Sequence, residues 1–155
     1  MINKMPHEGK IIVQEYDEHG IIKEEIVFNR VMNDFLNEAI SMLTGTSLND
    51  YELKYLAFGT DGTAPTDNDT QLGNEIYRTP VTSLLKIDVG KVESKYFLQD
   101  NQALDVIREI AFFGGSSATG AANSGKLLSR ILFFRDRTVS PTNINFTRID
   151  TIGRK

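Results

Sequence analysis

Cysteine is absent from the 155-residue chain. That excludes a disulfide framework, a thiol nucleophile and a cysteine-held metal. Histidine occurs only at His7 and His19. One lies near the amino end and the other in a polar turn, without metal-ligand spacing, and both are expected in solvent. No apolar run approaches the roughly 18 residues that cross a bilayer as a helix, so no membrane partner is expected. Met1 to Lys10 lack the apolar core of a secretory leader. There is no repeat of fixed period and no low-complexity linker. A clustered basic stripe is also missing, and the sequence pI is about 5.2, so a nucleic-acid partner is not expected.

The remaining composition is that of an ordinary globular chain, 40% apolar and 25% charged, and its length suits one domain with a sizeable core. The net charge of −4 is unevenly spread. Residues 126–155 carry seven basic and two acidic side chains; residues 1–125 carry ten basic and nineteen acidic. If those segments form separate surfaces, the chain would suit head-to-tail contact with copies of itself.

Alternating polarity predicts a hairpin from Lys10–Tyr16 and Ile21–Phe28, turning at Asp17-Glu18-His19-Gly20. Its two free edges suggest an arm, residues 1–28, that docks on a neighbour's sheet; the alternative is that it folds back on its own. Residues 29–155 are expected to form a β-sandwich domain. That domain starts with a helix over 30–44, capped by Asn29, stopped by Gly45 and burying a wide apolar face. Strands follow at 53–58, 75–89, 92–98, 106–113, 127–134 and 143–149. Pro80 marks an edge, a bulge or a strand switch. Val81, Ser83, Leu85, Ile87 and Val89 are expected on one face. Segments 106–113 and 127–134 are apolar on both faces, which calls for a cover from the helix or from another subunit. Gly153 to Lys155 are expected to fray.

The stretch around which these strands are organised runs from Leu53 to Pro80. Ala57-Phe58-Gly59 ends a strand, a Gly/Thr/Pro-rich loop follows, and then come Asp69-Thr70, Leu72, Glu75 and Arg78. With Ile107 to Phe113, and Leu128 to Arg130 followed by Ile131-Leu132-Phe133, this order resembles small structural virion proteins of tailed bacteriophages. The likeness extends over roughly Leu53 to Ile149 and covers tail, baseplate, neck and fibre-associated proteins alike. It implies a virion component that assembles in the host bacterial cytoplasm, acts as a homo-oligomer and binds other virion proteins, without catalysis or cofactors.

Four charged residues, Glu75, Arg78, Glu109 and Arg130, stand in otherwise apolar strands. Buried charges persist only when paired, so Glu109 is expected to pair with Arg78 or Arg130. Asp61, Asp67 and Asp69 form a possible loop binding site. They do not fit the EF-hand spacing, because Leu72 stands where the glycine belongs; solvated turn caps are the simpler reading. Gly120 to Leu127 nearly reads as a phosphate-binding loop, but Leu127 replaces the Ser or Thr and a strand follows. Glu75 and Glu109 as a glycosidase pair are disfavoured by the arginines near them. The second functional expectation is a carbohydrate- or receptor-binding module of a phage tail, with its site on loops 59–71 and 114–126.

Overall fold

The computed structural model describes residues 7–45 and 51–152; the expected fraying at 153–155 lies outside them. The eight strands form one antiparallel sheet in the order β2-β1-β8-β5-β4-β3-β6-β7. They are β1 (His7–Asp17), β2 (Gly20–Phe28), β3 (Leu53–Gly59), β4 (Glu75–Asp88), β5 (Lys91–Leu98), β6 (Val106–Gly114), β7 (Lys126–Asp136) and β8 (Asn143–Ile152). Among the described residues there is one helix, α1 (Asn33–Thr44), between β2 and β3. No helix among the described residues is long and apolar enough to cross a membrane.

The sheet curls into a half-barrel because β4 changes partners at its middle. Glu75 to Pro80 pair with β3, and Val81 to Asp88 pair with β5. Pro80, with no N–H to give, sits at that switch. The curl brings strands that are distant in the sheet order face to face. Phe58 of β3 and Phe133 of β7 lie 5.5 and 5.8 Å from Phe146 of β8, centroid to centroid. Tyr96 of β5 meets Phe112 of β6 edge-on at 5.3 Å. Truncating a fully buried ring such as Phe146 should cost about 3–5 kcal/mol.

Bulges reset the alternation at several points of the sheet. A shift between Val81 and Ser83 turns Leu84 toward the core and leaves Leu85, Ile87 and Val89 outside, contrary to the shared face expected from strict alternation. A shift between Ile107 and Glu109 puts Ile107 inside with Ile110 and Phe112. Another, opposite Phe112 and Phe113, brings Leu128 into the main core while Leu127 is buried on the other face of the sheet.

The hairpin takes the fold-back alternative. β1 pairs with β8 from His7 to Tyr16, and Ile11 and Val13 are buried in the main core. Glu15, in phase with them, is buried too and meets Arg135.

Three expectations about α1 change. It begins at Asn33, not Arg30, and Asn29 does not cap it. Val31 forms a β-bridge with Ser129, and the Met32 N–H donates to Leu128 O at 3.0 Å, so pairing with the β7 edge keeps the chain extended through Met32. Asn29 instead packs against Gly9 and donates its N–H to the Gly9 carbonyl. Gly45 ends the helix in the left-handed conformation, φ 71°. The helix buries much less than its periodicity suggests. Phe35 packs on the core and meets Tyr51 edge-on, but Leu36, Ile40, Met42 and Leu43 are 46–78% exposed.

Candidate functional site

The second, outer face of β3, β6 and β7 is covered by the chain itself. Met32 and Leu72 pack onto Ala57, Ala111, Phe113 and Leu127. The register explains how loops 60–74 and 115–125 come to lie here. Across β4, β3, β6 and β7 one row reads Arg78, Ala57, Ala111, Arg130. The neighbouring row reads Glu75, Gly59, Glu109. The small residues of the middle strands leave a shallow trough between charged walls. A Cβ on Gly59 would collide with Glu109 Oε1 and the Asn74 carbonyl, so the Ala57-Phe58-Gly59 strand end has a steric reason.

The four charged residues form two separate networks. Glu109 is fully buried. Its Oε2 accepts from Arg130 Nε at 2.7 Å and from the Gly73 N–H at 3.1 Å. Its Oε1 accepts from the N–H groups of Asn74 and Asp61, at 2.9 and 3.3 Å. Arg130 also donates to Asp69 Oδ2 at 2.8 Å and to the Thr63 carbonyl at 3.0 Å. One ion pair therefore ties both ends of loop 60–74 to the sheet. Arg78 pairs with Glu75, not Glu109, in a two-pronged contact at 2.6 and 2.9 Å. Its Nη1 reaches Thr119 O, Ser124 O and Ser124 Oγ, while Glu75 accepts from the Asn123 N–H at 2.7 Å. The guanidinium lies 4.6 Å from the Phe113 ring centre. This second pair ties down loop 115–125.

Asp61, Asp67 and Asp69 do not converge on a common point of free oxygens. Asp61 accepts from the Thr63 N–H and hydroxyl, Asp67 from Arg30 Nε at 2.7 Å, and Asp69 from Thr66 and Arg130. These bonds set their titration. The Thr63 hydroxyl and N–H hold Asp61 below the ordinary 3.8, and Arg30 does the same for Asp67. At Asp69 burial pushes upward, but Thr66 and Arg130 outweigh it and the carboxyl again lies low. Among the described residues no group of three or more acidic, His or Cys side chains could hold a metal.

The remaining motifs resolve as parts of the framework. Thr119 and Ser124 bind each other and Arg78, and Lys126 stands 4.9 Å from the Tyr51 ring at the start of β7. No helix follows the near-miss phosphate loop. Glu75 and Glu109 each face an arginine and backbone donors. His19 is exposed in the β1–β2 turn beside Glu18; the His7 side chain lies outside the described set.

Two buried clusters escape the sequence reading. Arg148 grips Asp150 at 2.7 and 2.8 Å, donates to Ser129 Oγ at 2.6 Å and lies over Phe112. Nearby Tyr96 is held up to about 12 by burial. Arg137 is 1% exposed, its guanidinium donates to the carbonyls of Gln99, Gln102 and Thr142, and burial lowers its pKa. The available signal was phase, since Ile144, Phe146, Arg148 and Asp150 alternate on one face of β8. These arginines also remove the basis for unlike surfaces. Arg130, Arg137 and Arg148 are buried, and Arg135 pairs with Glu15 and Glu25, so much of the basic excess of residues 126–155 points inward.

Comparison with protein-family models, with curated proteins and with solved structures finds no match to this chain.

Proposed function

We propose that this chain is a structural component of a bacteriophage virion, of the tail, baseplate or neck region. It works through contacts with copies of itself and with other virion proteins. We read its curled sheet as a sandwich whose loops are locked by buried ion pairs, so that it offers fixed surfaces. The observation that carries the reading is apolar side chains left in solvent on regular elements. Leu36, Ile40 and Leu43 recur along one side of α1, at 46, 62 and 78% exposure, and Ile22, Ile26 and Phe28 line one face of β2. Scattered exposed apolar residues are ordinary, whereas aligned ones mark interaction surfaces. The virion assignment comes from the sequence likeness at Leu53 to Ile149, and the assembly reading comes from these surfaces.

Negative-stain electron microscopy of the purified protein tests the proposal. Closed symmetric particles are the expected result. Single small globules at every concentration, together with no binding to virions, would count against it. The carbohydrate-binding reading gains less from the geometry, because Asp61, Asp67 and Asp69 and the 115–125 loop spend their polar groups on the protein itself.

A further inference from the structure

The two edges of the sheet are treated differently. At β7 the chain covers the beginning of its own edge, at Leu128 and Ser129, through the Val31–Ser129 bridge and the Met32 N–H on Leu128 O. At β2 no described residue does so; its only strand partner is β1. β2 is nine residues long, contains no proline, and exposes Ile22, Ile26 and Phe28 by 52, 54 and 64%. An edge of this kind is a template for another strand.

We propose that β2 pairs with β2 of a second copy of this chain, antiparallel across a twofold axis at Glu24, joining two eight-stranded sheets into one. The inference rests on the self-assembly reading above. Its register follows from the sequence Gly20-Ile-Ile-Lys-Glu-Glu-Ile-Val-Phe28. Residues directly opposite one another point to the same face, so the axis must pass through a residue for the inner and outer faces to stay continuous. Centred on Lys23 or on Glu25, the pairing sets that charge against its own copy and puts Glu24 opposite an isoleucine. Centred on Ile22, it falls across the bulge of β2, and centred on Ile26 it sets Glu24 against Phe28 and Glu25 against Val27 with no opposite charge for either. Centred on Glu24, the stretch from Ile22 to Ile26 pairs, Ile22 faces Ile26 on the outside, and Lys23 faces Glu25 on the inside, each contact occurring twice; the β-bulge that sets Ile21 and Ile22 together against Tyr16 of β1 ends the pairing there. Glu25 gives its Oε1 to Arg135, and its other oxygen is the acceptor for the second copy's lysine. The two Glu24 side chains meet at the axis on the exposed face, and each is drawn toward β1 by Gln14 Nε2 at 2.6 Å. This like-charge contact is the weak point of the interface, and it provides a test of the register.

The absence of cysteine makes single-cysteine cross-linking unambiguous. In this register the Cα atoms of residue 24 lie about 4.5–5.5 Å apart, within disulfide reach, whereas the two copies of residue 22 lie about four residues apart along the strands. Under mild oxidation Glu24→Cys should form a disulfide-linked dimer and Ile22→Cys alone should not. The Ile22→Cys/Ile26→Cys variant should cross-link. In sedimentation equilibrium Glu24→Gln should tighten the dimer, and Lys23→Glu should weaken it by about tenfold. An assembled protein in which Glu24→Cys does not cross-link and Lys23→Glu changes nothing overturns the β2 inference and leaves the assembly reading intact. A monomer at all concentrations overturns both.

Discussion

Glu109→Ala tests whether the loop over the sheet is held by a buried ion pair. Glu109 is 0% exposed and accepts four hydrogen bonds, one from Arg130 and three from N–H groups of loop 60–74. Removing it leaves Arg130, 4% exposed, with Asp69 and the Thr63 carbonyl as partners. Breaking a buried pair by deleting one member costs about 3–5 kcal/mol, because the other charge stays desolvated. The retained Asp69 contact argues for the lower half of that range. In a domain of this size the change lowers Tm by roughly 10 °C. Glu109→Gln keeps the volume and one acceptor oxygen but turns an NH2 toward donors, so it should cost less than Ala and more than nothing. Thermal and urea denaturation give the magnitudes. Hydrogen exchange at the amides of Asp61, Gly73 and Asn74 gives the locality, with faster exchange there in both variants. Unchanged Tm in both variants, with those amides still protected, would place Glu109 in solvent and remove the network from the account.

Gly59→Ala should destabilise by about 1–3 kcal/mol through overpacking, and less than additively with Glu109→Ala, since the new methyl displaces that carboxylate; additive losses in a double-mutant cycle would refute the shared space. Stability should also fall in acid. The folded-state carboxyls of Asp61, Asp67 and Asp69 titrate below 3.8, so their contribution is complete above the unfolded-state value and is lost as pH falls through the folded values. Urea midpoints that hold steady from neutral pH to about 5 and drop below about 4 are expected, with a shallower drop in Asp69→Asn; midpoints that rise on acidification would contradict it. Ile40→Gln and Leu43→Gln should leave Tm within what about 0.5 kcal/mol produces, as exposed positions do. A large loss would return that side of α1 to the core.

Strand positions were legible because each has its own polarity pattern and a nearby turn residue. Pro80 narrowed the middle of β4 to an edge, a bulge or a strand switch, since a residue without an N–H has few places in a sheet, and the partner strands decide for the switch. What alternation cannot carry is a bulge. The shifts at 81–83 and 107–109 exchange Leu85 for Leu84 and bring Ile107 inside, and they depend on partner strands far away in sequence. The choice between Arg78 and Arg130 as partner of Glu109 is of the same kind. It is decided by Gly59 standing between Glu75 and Glu109, and Ala57 and Ala111 between Arg78 and Arg130, which only the sheet order reveals. The helix start moved because Val31 and Met32 pair with β7, a tertiary contact that overrides a local capping signal. Arg148 and Asp150 share the phase of Ile144 and Phe146, so their burial could be read from β8 alone.

The claim at the centre of this account is that the exposed apolar surfaces of β2 and α1 serve assembly. The mass of the full chain in solution, followed by multi-angle light scattering across a dilution series, tests it most directly. The account predicts a mass that is a whole-number multiple of 17.4 kDa and that falls only on dilution. A constant mass of 17.4 kDa up to the solubility limit would contradict it.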